Sequence, residues 1–161
     1  MNLPDDAIAA DVDRVGWSCI SIRDVDPPFA YTVGLMKTHD HPELIIFGRP
    51  DDAHPILYDL VSAIASGSRL STPTEYDVLD GFPIGTRPVD ISHHETYLGY
   101  AMGYVRRIGR IGDLTAIQIY VPDIDGTYPY QPGCAEPVYR SQPRLDIPLT
   151  PSEREDMEPN C

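Results

Sequence analysis

The segment Pro28–Gly48, PFAYTVGLMKTHDHPELIIFG, constrains the fold more than any other part of the chain. Two strand-like apolar runs, Phe29–Met36 and Glu43–Gly48, flank a short polar stretch that holds His39, Asp40, His41 and Glu43. In the first run Tyr31, Val33 and Leu35 alternate with Thr32, Gly34 and Met36, the period of two that places alternate side chains on opposite faces of a strand. The second run is apolar almost throughout, as a central strand covered on both faces would be. Imidazole and carboxylate groups tethered between two core strands are held close together, so this loop is the first place to look for a site.

The flanking segments predict the rest of the fold. Ile8, Val12 and Val15 share one side of a short amphipathic helix over Pro4–Val15, closed by Gly16. Trp17–Arg23 reads as a first strand, and the turn Asp24–Pro28, DVDPP, leads into the second. Asp52 as cap, Pro55 in the first turn and Gly67 past the end bracket a helix that buries Ile56, Leu57, Leu60, Val61, Ile64 and Ala65. A second helix opens at Ser92-His93-His94-Glu95, a capping-box pattern, and buries Tyr97, Leu98, Ala101, Met102 and Val105. Arg106 and Arg107 suit its C-terminal dipole before Gly109. Gly99 and Gly103 lower its propensity, which predicts the close approach of another backbone. Leu114–Val121 alternates as a strand with one polar intruder, Gln118, and a further strand is expected near Arg87–Ile91. These elements predict an α+β fold: one domain over residues 1–135, with a mixed or mostly antiparallel sheet of about five strands and two main helices packed on it. Residues 136–161 are Pro-rich and acidic, and are expected as an extended or disordered tail, laid along the domain or a partner if ordered.

Charge narrows the function classes. Twenty-five acids against 12 bases give a net charge of −13. Such a surface repels phosphate backbones and anionic lipid, so neither direct nucleic-acid binding nor membrane association is expected, whereas a basic partner protein would suit it. No apolar run reaches the roughly 20 residues that span a bilayer. The start, MNLPDDAIAADVDRV, is acidic and lacks the basic-then-apolar order of a secretory leader, so a cytoplasmic location is expected. Eleven Arg, the single Lys37 and 17 Pro suggest a GC-rich coding source, such as an actinobacterium or one of its phages.

Several residues are candidates for chemistry. His39, His41 and Glu43, at i, i+2 and i+4, share one side of an extended segment, and their donors suit zinc or another divalent metal. The alternative is a hydrogen-bonded structural loop with Pro42 restricting His41. His93 and His94, at the head of a helix, are either part of an anion or metal site or solvated first-turn residues, and His54 has the same standing. Tyr31 and Thr32 offer hydroxyls to a pocket. Tyr128 and Tyr130, in a chain with ten Tyr, combine large apolar faces with polar tips and suit a pocket or an interface. Cys19, Cys134 and Cys161 are widely spaced and odd in number, which speaks against a disulfide framework or a zinc knuckle, and no nucleophile signature, P-loop or dinucleotide fingerprint is present. Asp123 and Asp125 lack the other ligands of a calcium loop and read as a tight turn with Gly126 at positive φ.

An ordered set of blocks adds a resemblance: Gly16-Trp17, PFAYTVGL at Pro28–Leu35, HPELIIFG at His41–Gly48, GFP at Gly81–Pro83, the Tyr-rich Tyr97–Tyr104, and AIQIYVPDIDGTYPYQPGC at Ala116–Cys134. In this order, over roughly residues 14–134, the chain resembles the family called domain of unknown function 4262, small actinobacterial and phage-associated proteins. It departs at Tyr130, where members often carry Trp. The resemblance implies a compact α+β domain and no particular activity. The residues favour a non-catalytic, acidic binding protein with no cofactor, recognising a partner protein or a small ligand. In a phage, that would be an inhibitor whose acidic surface occupies a basic site on a host protein. The competing reading is a metal-assisted hydrolase, with a divalent metal such as zinc on His39, His41 and Glu43, joined by His93 or His94. The two differ in whether these groups converge on an open cleft.

Overall fold

In a computed structural model that describes residues 3–79 and 82–150, helices cover both faces of one mixed sheet. The chain begins with α1 (Leu3–Val15), turns at Gly16 with φ 93°, and enters the antiparallel strands β1 (Ser18–Ile22), β2 (Phe29–Val33) and β3 (Glu43–Phe47). After α3 (Ala53–Ala65) come β4 (Thr74–Leu79) and β5 (Phe82–Pro88), and later β6 (Ala116–Tyr120). The sheet order is β1-β2-β3-β6-β5-β4. Among the described residues only the central pair, β3 with β6, is parallel, registered from Glu43 opposite Ala116 to Ile46 opposite Ile119. The fold class is thus the expected α+β, with six strands where about five were expected. β4 lay unseen in a stretch whose turn signals mask its period, and β5 stops at Pro88, short of Ile91.

Alternation along the strands builds two cores. Ala30, Leu44, Ile46, Ile117 and Ile119 face α3, which brings Ile56, Leu57, Leu60, Val61 and Ile64; Ala65 is exposed. Phe29, Tyr31, Val33, Ile45 and Phe47 face the other way, against Ile8 and Val12 of α1 and Leu98, Ala101 and Tyr104. Full burial of one such side chain stabilises the fold by about 1.5–3 kcal/mol. The continuous apolar run of β3 is explained by these two covered faces.

Three expectations need correction. The first apolar run is not a strand to Met36: β2 ends at Val33, and Gly34, at φ 109°, turns the chain into α2 (Leu35–His39). Leu35 and Met36 are buried from that helical turn, so their apolar character did not report a strand. The second helix is broken into a 3₁₀ turn at Ile91–His93, α4 (His94–Tyr97) and α5 (Gly99–Arg107), with an elbow at Leu98 (φ −116°, ψ 33°). Its capping box does not form. Asp90 caps instead, its Oδ2 accepting from Ser92 N at 3.0 Å, while Ser92 Oγ accepts from Leu149 N at 2.9 Å. Finally, no backbone crowds Gly99 or Gly103; a Cβ at Gly103 would meet only Asp5 Oδ1, at 3.8 Å. The crowded glycines are Gly34, where a Cβ would lie 2.7 Å from Val12 Cγ2, and Gly85, where it would collide with the Tyr130 hydroxyl.

The chain after residue 135 contributes to the core. α6 (Glu136–Arg140) is followed by buried Gln142 and Leu145, and Leu145 is 1% exposed within the α1–α5 core. Gln118, the polar intruder in β6, is the fastening point: its Nε2 donates to Pro143 O at 2.6 Å and its Oε1 accepts from Leu145 N at 3.0 Å. Gln142 holds the other end, exchanging hydrogen bonds with both backbone groups of Val121. The remaining expected tail, residues 151–161, lies outside the described residues. Among the described residues no helix is long and apolar enough to cross a membrane.

Candidate functional site

Glu43, the first residue of β3, is 1% exposed, yet its carboxylate has four donors. Thr32 Oγ1 donates to Oε1 at 2.8 Å, and the amides of Gly34, Leu35 and Met36 donate at 3.1, 3.1 and 3.3 Å. The left-handed Gly34 aims the free amides that open α2 at this one group, so a neighbouring strand supplies the cap that the helix itself lacks. Thr32 also accepts from Leu44 N at 2.9 Å, which ties the two strands together. Burial pushes the Glu43 carboxyl up to about 7, against the downward pull of Thr32, Leu35, Met36 and Gly34.

His41 is similarly committed. Nδ1 lies 2.8 Å from Pro42 O, and Nε2 lies 3.0 Å from Leu70 N. A carbonyl only accepts and an amide only donates, so the ring is neutral with its proton on Nδ1. Burial lowers its pKa, in keeping with that state. His39 is half-buried in the last turn of α2, and its carbonyl and that of Asp40 accept from Arg69. His41 and Glu43 therefore turn their donor atoms to the fold, and the metal set read from the sequence would have to break these bonds to form. Among the described residues no group of three or more His, Cys, Asp or Glu side chains is placed to hold a metal ion.

The other sequence candidates lie in separate places. His93 is buried, its Nε2 2.7 Å from Ile147 O and its Nδ1 unpartnered; His94 is buried, which lowers its pKa. His54 is exposed and stacks on Trp17, with ring centroids 5.9 Å apart. Tyr128 and Tyr130 stack on each other at 5.3 Å over Gly85, with the Arg87 guanidinium 3.5 Å from the Tyr130 ring centre and the Tyr130 hydroxyl donating to Glu75 at 3.0 Å. They close the TYPY loop onto β5. Burial pushes the Cys19 thiol up to about 11, away from nucleophilic thiolate. Thr32 and Glu43 are the one pair of sequence candidates shown bonded to each other.

A cavity of about 370 Å³ opens at the far end of β2 and β3, which sequence reasoning missed apart from Tyr31. Its floor is Phe29, Tyr31 and Phe47, three residues of the two strands that begin and end the opening segment. One wall is the elbow between α4 and α5, with Tyr97, Gly99 and Tyr100; the other is the Asp24–Pro28 turn, with Val25, Asp26 and Pro27. Glu43 and Phe47 stand at opposite ends of β3, about 13 Å apart.

Local chemistry explains the elbow. Leu98 is fully buried and draws the chain inward, so the helix breaks there. α5 has no side-chain cap of its own; the Tyr31 hydroxyl, rising from the sheet, accepts from Tyr100 N at 3.0 Å. Tyr97 stands at 82° to Phe29 and 81° to Phe47, with centroids 5.3 and 5.2 Å away. Burial raises the hydroxyl pKa of Tyr31 and of Tyr97, so both stay neutral. The charged side chains that line the cavity are Asp26 and Glu95, both exposed. The signals in the sequence were the acidic DVDPP turn and the Tyr-rich helix, which lie more than 60 residues apart and meet only in the fold.

Among known proteins, the family model described as domain of unknown function (DUF4262) matches residues 11–135. No curated protein and no solved structure matches the chain.

Proposed function

Because the chain belongs to the DUF4262 family, whose description names no activity, we propose from geometry that it is a non-catalytic binding domain for a small molecule held between the β2–β3 floor and the α4–α5 elbow. The observation that carries this reading is the open cavity of about 370 Å³ with a floor of three aromatic rings. Its size falls in the range of small-molecule sites, and its lining has the usual make-up: apolar walls with a few polar groups to fix orientation. The lining holds no His, Cys, Lys or Ser, and its two acids, Asp26 and Glu95, are exposed, so it offers no nucleophile paired with a base.

The partner-protein reading has support in the net charge of −13, which would steer a basic protein toward this one. The cavity favours the small ligand. The test is a fragment screen by thermal shift and calorimetry on the full chain and on Thr96→Trp, which plugs the mouth from an exposed position. Fragments that stabilise the wild type and lose binding in the plugged variant support the reading. Equal binding to both proteins, or no binding to either, overturns it.

A further inference from the structure

Two properties of the cavity restrict what it holds. Its elbow wall carries the rings of Tyr97 and Tyr100 over an aromatic floor, and a ring face is electron-rich, so it attracts positive charge. Its charged lining residues, Asp26 and Glu95, are both acids, and no Lys or Arg lines it. The field of the whole chain, at −13, has the same sign. The one feature that would favour an anion is the start of α5, and there the Tyr31 hydroxyl already takes the Tyr100 amide.

Resting on the reading of this cavity as the binding site, we propose that its ligand is a small organic cation carrying an alkylated ammonium group. Tyr97 meets Phe29 and Phe47 nearly at right angles. Phe29 and Phe47, 9% and 1% exposed, are closed edge-to-face against it, so the rings left to an ammonium head are those of the half-buried Tyr97 and Tyr100 at the elbow. Asp26 and Glu95 stand at the mouth, where they compensate the charge without themselves being buried. The same combination occurs elsewhere in the molecule with a cation of its own: Arg87 lies over the Tyr130 ring, whose hydroxyl bonds to Glu75. In the cavity the rings and carboxylates are present, and the cation comes from outside.

The experiment is calorimetry on the full chain at low salt, with choline and with 3,3-dimethyl-1-butanol, a neutral isostere in which carbon replaces the ammonium nitrogen. Choline is expected to bind at least about tenfold more tightly than the alcohol, and to weaken as salt is added. The double variant Asp26→Asn, Glu95→Gln, both changes being at exposed positions, should lose about tenfold for choline and leave the alcohol unchanged. Its thermal melt serves as the control for folding. Equal affinity for the two compounds, or choline binding indifferent to the double variant, overturns the cationic class while leaving the cavity as a binding site. If neither compound binds, the cationic class is overturned, and the plugged-variant screen decides separately whether the cavity is a site at all.

Discussion

Glu43 shows how a residue with catalytic chemistry is used as a structural part. Its carboxylate gathers three backbone amides and the Thr32 hydroxyl, all inside the core. Replacing Thr32 by Val keeps the shape, removes that donor and leaves Leu44 N without its acceptor. The expected loss is about 1–3 kcal/mol in a urea unfolding experiment. Glu43 also gives the fold a pH signature. Its folded pKa is about 7, above the ordinary 4.5, so the native state holds a proton that the unfolded chain has released. Stability from this group is complete below pH 4.5 and declines as pH rises through 7. In Glu43→Gln that decline should vanish from the unfolding free energy between those two values, while the acid-side loss from Asp90 and Asp123, whose pKa values are lowered, remains.

At the scale of elements, breaks matter as much as periods. Gly34 must be glycine, because its φ is 109° and a Cβ would meet Val12 at 2.7 Å. Gly34→Ala should cost more than about 1 kcal/mol, the scale of Ala forced into left-handed backbone before any clash is added. Gly103, inside α5 with room for a Cβ, should respond in the opposite direction: Gly103→Ala is expected to raise the melting stability by about 0.5–1 kcal/mol. The sequence pattern correctly located α1, α3 and β6 from their repeats, with Val15 of α1 exposed rather than on the buried side, and β1 and β3 from their apolar runs. It misread Leu35–Met36, since two apolar residues bury equally well from a strand or from one helical turn. It also read a capping box at Ser92 where Asp90, two residues earlier, takes the amide. The HDHPE loop was legible as a special place, but its hydrogen bonds run to Gly34, Leu70 and Arg69, partners that only the fold brings near. The cavity was illegible for a related reason: its walls come from separate segments, and its elbow depends on the Tyr31 hydroxyl meeting Tyr100 N across 69 residues.

At the scale of the whole molecule, the matched family segment ends at residue 135 while the packed structure continues. Leu145 sits in the same core as Tyr31 and Leu98, and Gln118 binds its amide and the Pro143 carbonyl just before it. Leu145→Ala should therefore cost about 2–5 kcal/mol, as for a fully buried leucine, when measured by chemical denaturation. A chain ended after residue 135 should be less stable still, since it exposes that core and takes the Pro143 carbonyl from Gln118 Nε2, leaving Gln118 only the Tyr120 hydroxyl on Oε1. The layout separates two places along β3: a sealed carboxylate at Glu43, which holds strands and helix together, and an open aromatic cavity at Phe47. A titration of the ¹⁵N-labelled full chain with choline, followed amide by amide, tests that division most directly. Saturable shifts confined to residues 22–31, 47 and 95–100 are expected, with His39–Glu43 and His93 unmoved. Shifts centred on His39–Glu43 or on His93 would contradict it.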